Sequence, residues 1–389
     1  MAVLRTTFVA CLALCALVPV GALAQISDTI RPFVDLRYVD DDNIFRSTTN
    51  PESDTYLELG AGVDINLPVS RQNFGFAGKY THVAYDVNDS LDHDDIDGNF
   101  TWDWVVGNRL NGDLRANYSE TIGSFDEQAT RTKDDRKDTN LAGTLIFELT
   151  PRWELVGAFD AQQSRVDNRP EVEFDATTAI GEVRYATGAR TKIGARYTVT
   201  EGDYLNTQIV NGEPFDNDYT FTAMSGTFQW ETTGKSKLNF ELGYSEVDAA
   251  QGSEFDYDGR LMRAAYTWDA TGKTRLLVRA WNQARGREEI SGYVVTQGIS
   301  IKPTLSMTSK LSGSLDLLYE DVIYEGDAAV APTGAAREDT NKSVAASLSY
   351  ALTRRIVGTL GYKTYDRASN VPGDVWTYSR WIAQLRASF

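Results

Sequence analysis

Apolar residues occupy every second position through most of this chain, and that two-residue period constrains the fold more than any other feature. Side chains alternate across an extended strand, so such a segment shows an apolar face and a polar face together. Leu57, Leu59, Ala61, Val63, Ile65 and Leu67 alternate with Glu58, Gly60, Gly62, Asp64 and Asn66. Trp153, Leu155, Gly157 and Phe159 alternate with Glu154, Ala158 and Asp160. Ile193, Ala195, Tyr197 and Val199 oppose Lys192, Gly194, Arg196 and Thr198, and Leu238, Phe240, Leu242 and Tyr244 oppose Asn239, Glu241 and Gly243. The last stretch sets Trp381, Ala383, Leu385, Ala387 and Phe389 against Arg380, Gln384, Arg386 and Ser388, with Ile382 the one misfit. In 219–230 and 255–268 the pattern does not declare which face is apolar.

Residues 1–24 read as a secretory signal peptide, with Arg5 ahead of an apolar run and Ala22-Leu23-Ala24 as the cleavage site. Both cysteines, Cys11 and Cys15, lie inside it, so the mature chain carries neither disulfides nor thiol chemistry. The formal charge of −17 argues against nucleic acid, whose binding rests on neutralising phosphates. After the leader, no run approaches the roughly 18–20 apolar residues that a membrane helix needs. A chain of this kind crosses a membrane only as a closed sheet, because lipid offers no partner for an unpaired backbone group.

Punctuation supports closure. Short connections fall at Pro68–Arg71, Gly107–Arg109, Thr150–Arg152, Thr187–Arg190, Thr232–Lys235, Ala270–Lys273, Lys302–Thr304 and Leu352–Arg355. Longer polar connections alternate with them, at 40–54, 86–97, 122–137, 166–172, 203–217, 248–254, 325–339 and 367–374; a shorter turn near Arg285-Gly286 is the exception. Hairpins recur about every 40 residues. The expectation is an all-β, antiparallel up-and-down transmembrane barrel of about 18 strands, with short periplasmic turns and longer extracellular loops. Residues 25–389 form that one barrel domain. Trp104, Trp153, Trp230 and Trp268 lie near short turns, where an aromatic girdle belongs.

The face opposite the apolar one carries charge, which only water or counter-charge makes tolerable inside a membrane. Candidate pore-lining residues are Glu58, Asp64, Lys79, Arg115, Glu154, Asp160, Lys192, Arg196, Glu241, Asp316, Lys363, Arg380 and Arg386. Arg152, Arg184, Asp103 and Glu182 share their parity. If these side chains are wet, reversing Arg196 or Glu241 alters ion selectivity with little loss of stability. A barrel of this size is wide enough for an aqueous channel, although in-folded loops also close such lumens.

Catalysis finds little to work with. The histidines are His82 and His93, and no nucleophile motif accompanies either. Asp86, Asp89, Asp92, Asp94, Asp95 and Asp97 crowd one connection and Asp40, Asp41 and Asp42 another. Ile96, however, stands where a calcium loop needs its third oxygen ligand. Neither a metal site nor a cofactor is expected.

The C-terminal segment ending in Phe389 resembles the recognition strand of bacterial outer-membrane barrels, which implies delivery by the barrel-assembly machinery. Arg37-Tyr38-Val-Asp40-Asp41-Asp42-Asn43-Ile44-Phe45-Arg46 resembles the opening of the putative β-barrel porin 2 family. That resemblance implies the outer membrane of a Gram-negative cell, contact with membrane lipid and lipopolysaccharide, and a pore serving exopolysaccharide production or export. A polysaccharide is then a partner. A general nutrient porin and a non-conducting scaffold or adhesin are the alternatives. Physically, Asp41 and Asn43 suit a turn that closes the first strand.

Overall fold

The computed structural model describes residues 29–126, 133–188, 190–210, 212–286, 293–324 and 336–389. The signal peptide and its cleavage site lie outside them, as do parts of three long loops. The strands are β1 (Ile30–Asp41), β2 (Asp54–Val69), β3 (Gln72–Tyr85), β4 (His93–Val106), β5 (Leu110–Ile122), β6 (Asp135–Thr150), β7 (Trp153–Val166), β8 (Phe174–Ala186) and β9 (Thr191–Tyr204). A small hairpin follows, β10 (Gln208–Val210) with β11 (Glu213–Phe215), inside a connection that showed no strand pattern. Then come β12 (Tyr219–Thr233), β13 (Ser236–Ala249), β14 (Tyr257–Asp269), β15 (Thr274–Gly286) and β16 (Tyr293–Ser306). The last four are β17 (Leu311–Tyr324), β18 (Arg337–Ala351), β19 (Ile356–Ser369) and β20 (Trp376–Ser388).

Apart from the small hairpin, each strand pairs antiparallel with its neighbours in an 18-stranded sheet. The sheet closes because β1 pairs with both β2 and β20, Leu36 lying opposite Leu59 on one side and Leu385 on the other. Closure leaves no edge, so every strand completes its ladder within the sheet.

The register separates the two faces. Outward positions run apolar from the short-turn end: Leu67, Ile65, Val63, Ala61, Leu59 and Leu57 on β2, and Trp153, Leu155, Gly157, Phe159 and Ala161 on β7. Nearer the long loops the same face turns polar, at Asp94 on β4, Arg165 on β7, Asp175 on β8 and Asp258 on β14. Many outward apolar side chains are exposed, among them Leu59, Phe76, Leu145, Phe159, Leu242 and Leu360. An exposed apolar band of this kind is what the outer wall of a transmembrane barrel presents. Trp153, Trp230 and Trp268 are exposed on it beside short turns.

Several details depart from the sequence pattern. The acidic connection 86–97 ends early: β4 begins at His93, so Asp94 faces out while Asp95 and Asp97 face in. Asp40 and Asp41 belong to β1 and not to a loop. Lys302-Pro303-Thr304 is no turn but part of β16, with the reversal at 307–310. Pro303 lacks an N–H, and the β16–β17 ladder is interrupted there, between Ile301 and Thr304. Arg152 sits in the β6–β7 turn and donates to the Tyr185 hydroxyl at 3.2 Å, so it does not join the inward face.

Candidate functional site

All the candidate pore-lining residues fall on the inward side of the register. On β2 and β3, Glu58 takes Arg37 of β1 at 2.6 Å, and Lys79 reaches Asp35 of β1 at 3.1 Å. Lys79 must cross β2 to do so. It passes over Gly60, where an added Cβ would lie 2.0 Å from the Asp35 carboxylate and 2.6 Å from Lys79 Cε. A glycine is required there because the ion pair occupies the space of its side chain.

On β20, Arg386 pairs with Asp64 at 3.1 Å and Arg380 with Asp41 at 2.7 Å. Lys192 of β9 reaches Glu154 of β7 at 2.6 Å, and Asp316 takes Lys302 at 3.0 Å. Arg115 pairs with Asp113 at 3.2 Å. Asp160 accepts from the Asn140 amide at 2.9 Å, the end of a chain of amides running Asn99–Asn117–Asn140 across β4, β5 and β6. Lys363 sits 5.5 Å from the ring centres of Tyr365 and Tyr378.

Arg196 and Glu241 belong to a tighter unit. The Glu182 carboxylate, fully buried, accepts from Arg184 at 2.8 Å, Arg196 at 2.8 Å and the Thr227 hydroxyl at 2.6 Å. Arg196 also reaches Glu241 at 3.1 Å, and Glu241 accepts from the Ser225 hydroxyl at 2.7 Å. Arg263 approaches the same carboxylate at 3.5 Å. Charge reversal at Arg196 or Glu241 therefore breaks a buried network, and the expectation of little lost stability does not survive. Removing one member leaves a desolvated partner uncompensated.

Near the long-loop end the barrel is narrowed from inside. The β1–β2 loop turns at Asn43, whose N–H donates to Asp41 at 3.0 Å, as the Asx reading of that motif anticipated. It carries Ile44, which packs with Val39, Tyr56, Val83 and Leu91; Phe45, Phe125 and Ile382 line the same cluster. Ile382 thus breaks the alternation of β20 for a reason: it faces in, onto folded loops. Arg46 pairs with Asp41 at 3.0 Å, lies 3.7 Å over the Tyr378 ring and reaches Asp126 of the β5–β6 loop at 3.1 Å. A second inward cluster, Tyr219, Phe221, Ala223, Val247 and Leu261, explains why 219–230 and 255–268 looked ambiguous. Aromatics there face inward near the loops, while Phe228, Trp230 and Trp268 face outward near the turns.

Two recesses open on the inward wall. One, of about 550 Å³, is bordered by Asp160, Gln162, Thr178, Thr200, Arg263 and Arg285. The other, of about 530 Å³, is bordered by Arg196, Glu241, Arg263, Arg279 and Gln283. Arg263 belongs to both. On the outward face, His82 meets Asp94 at 2.8 Å, with Leu59 opposite it on β2. Among the described residues no group of three or more His, Asp or Glu side chains is placed to hold a metal ion.

Residues 220–389 match the model of the family described as Putative beta-barrel porin 2. The match lies C-terminal to the Arg37–Arg46 stretch that first suggested it. No curated protein matches the chain. Among solved structures, the outer membrane protein OpdK of Pseudomonas aeruginosa is similar over 94% of this chain and 100% of its own, at 9% identity and a TM-score of 0.49. OccK2 (OpdF) of the same organism is similar over 92% of this chain and 98% of its own, at 11% identity and a TM-score of 0.47. A BenF-like porin from Pseudomonas fluorescens Pf-5 is similar over 93% and 99%, at 9% identity and a TM-score of 0.49. Closed sheet, apolar belt and family match agree on the fold: a closed, 18-stranded antiparallel β-barrel of porin-like form.

Proposed function

We propose that the barrel passes small hydrophilic solutes across the outer membrane through a lumen narrowed by its own loops. The observation that carries this is the inward face: it is charged or polar from Arg386 and Asp64 near the turns to Arg380 and Asp41 near the loops. Such a surface is stable within a membrane only when water accompanies it. The pore-lining residues of this reading are those named from the alternation, with Arg263, Arg279 and Arg285 added from the recess walls. In this reading the outward belt is covered by lipid and lipopolysaccharide, and the assembly machinery reads β20 through Phe389.

Export of an exopolysaccharide is the second reading, favoured by the inward stack of Tyr365, Trp376 and Tyr378. Sugar rings bind aromatic faces of this kind. The stack is already covered, however, by Arg46 over Tyr378 and Arg367 at 4.6 Å over Trp376. A polymer would have to displace both guanidinium groups and the loops they hold, so small solutes fit the geometry better.

Conductance across planar bilayers, with swelling of proteoliposomes in monosaccharide and in oligosaccharide, tests both. Current and monosaccharide entry with exclusion of larger oligomers is the expected result. Equal entry of long oligosaccharides would favour export, and electrical silence at every voltage would leave a scaffold or adhesin.

A further inference from the structure

Each of the eight short turns that join the strands at one end of the barrel carries a base. Arg71, Arg109, Arg152 and Arg190 stand in the turns from β2–β3 to β8–β9. Lys235, Lys273, Lys310 and the pair Arg354-Arg355 stand in those from β12–β13 to β18–β19. No aspartate or glutamate lies in any of these turns, although acids outnumber bases by 55 to 38 over the whole chain. All nine of these bases are exposed. None makes an ion pair among the described residues, and Arg71 and Arg152 donate instead to neutral oxygens, the Gly107 carbonyl and the Tyr185 hydroxyl. Acids at the adjoining strand ends find partners on the strands: Asp269 takes Arg275 at 2.6 Å and Glu231 takes Lys237 at 3.3 Å. Surplus positive charge therefore collects on this rim.

The opposite end is acidic, with Asp86, Asp89 and Asp92 in one connection and Asp216, Asp218 and Asp256 in two others. The positive rim is therefore a feature of the turns and not of the chain. It encircles the barrel and lies just beyond the exposed Trp153, Trp230 and Trp268. In barrels of this class the short turns face the periplasm, and tryptophans mark the depth of the lipid headgroups. A ring at that depth meets phosphate on every side, whereas a protein partner would dock on one sector. The outer wall beside the Arg71 and Arg109 turns points the same way. An apolar groove of about 680 Å³ runs there between Trp102 and Trp104 on one side and Leu145 and Phe159 on the other, over Gly143 and Gly157. Gln72, which follows Arg71, lines its turn-side end. The groove opens toward lipid, so it seats an acyl chain and offers nothing to a hydrophilic polymer.

We propose that the turn side of the barrel holds anionic phospholipid of the periplasmic leaflet, with phosphates on the ring of turn bases and one acyl chain in the groove beside Arg71. Bases close to an anionic lipid surface each contribute favourably, and phosphatidylglycerol brings the net negative charge that phosphatidylcholine lacks. The inference depends on the barrel and its turn side alone. A barrel that passes no current would leave it standing.

Spin-labelled phosphatidylglycerol and phosphatidylcholine, added in trace to the reconstituted barrel, report how much of each is immobilised against the protein. Phosphatidylglycerol is expected to associate about fivefold more strongly at low salt, the worth of roughly one base-to-headgroup contact per lipid. The preference should fall close to one in roughly 1 M salt, where the screening length is about 3 Å. A variant combining Arg71→Gln, Arg109→Gln, Arg152→Gln and Arg190→Gln should lose about half of it, with folding checked by the heat-dependent shift in gel mobility. Gly157→Leu, which fills the groove, should lower the immobilised fraction of both lipids. Equal association of the two lipids with the unmodified barrel would overturn the proposal, as would a preference that survives both high salt and the loss of the four arginines. Unchanged immobilisation in Gly157→Leu would remove the acyl seat.

Discussion

Arg367 of β19 donates a hydrogen bond to the main-chain carbonyl oxygen of Asp126, 2.8 Å away and 241 residues earlier in the chain. Between these two residues the barrel wall runs through β20, β1, β2, β3 and β4. The start of the β5–β6 loop, through Asp126, therefore lies inward against a distant part of the wall. Arg367 is fully buried in doing so, and Arg46 of the β1–β2 loop holds the Asp126 carboxylate from the other side.

Cutting that tether should widen the mouth. Arg46→Ala removes the contacts to Asp126, Asp41 and the Tyr378 ring at once, while the strand ladders stay intact. Single-channel conductance is expected to rise and to become noisier, as a released loop samples several positions. A current trace indistinguishable from that of the parent protein would show that the loops do not set the bore.

Glu182 is the next place to press. Its carboxylate serves Arg184, Arg196 and Thr227 while fully buried, so Glu182→Gln leaves two guanidinium groups short of their counter-charge. The loss is expected to be about 3 kcal/mol, the low end for a broken buried pair, because both arginines keep some access to water. Urea titration of the detergent-solubilised barrel measures it. Arg196→Gln combined with Glu182→Gln should cost less than the two single losses added, since each removes the other's unpaired partner.

Gly60→Ala tests close packing within the lumen. The new methyl group would displace the Asp35–Lys79 pair, with an expected cost of about 1–3 kcal/mol for an overfilled site. Gly157→Ala, at an outward position where nothing lies within 4 Å of a new Cβ, is the matched control. If the two variants unfold at the same urea concentration, the ion pair does not hold the position assigned to it.

The belt makes an optical prediction. Trp153, Trp230 and Trp268 are exposed on the outward face beside the short turns. Their fluorescence in reconstituted membranes should be quenched best by lipids labelled near the headgroup and less by lipids labelled deep in the acyl chain. Stronger quenching by the deep label would move the belt along the barrel.

Ordering of the faces was legible from residue types alone, because parity along a strand survives any choice of neighbour. Glu58, Asp64, Lys192 and Arg386 were assignable to one face without knowing what they touch, and strand number followed from turn chemistry. Where the reading failed, a tertiary contact had overridden the local pattern. Ile382, Tyr219 and Phe221 face inward because folded loops and opposing strands give them an apolar surface inside the lumen. Lys302-Pro303-Thr304 continues a strand because its register with β15 runs unbroken through Pro303, and only the ladder to β17 is interrupted there.

Alternation, turn residues and the absence of a long apolar run determined that this chain closes into a barrel with one greasy and one hydrated face, since both follow from the geometry of a single strand. Which acid meets which base, where the loops come to rest and how the charges divide around the wall were decided only in three dimensions. Those outcomes depend on the register between strands and on the order in which the sheet meets itself, and residues far apart in the chain carry no local trace of either.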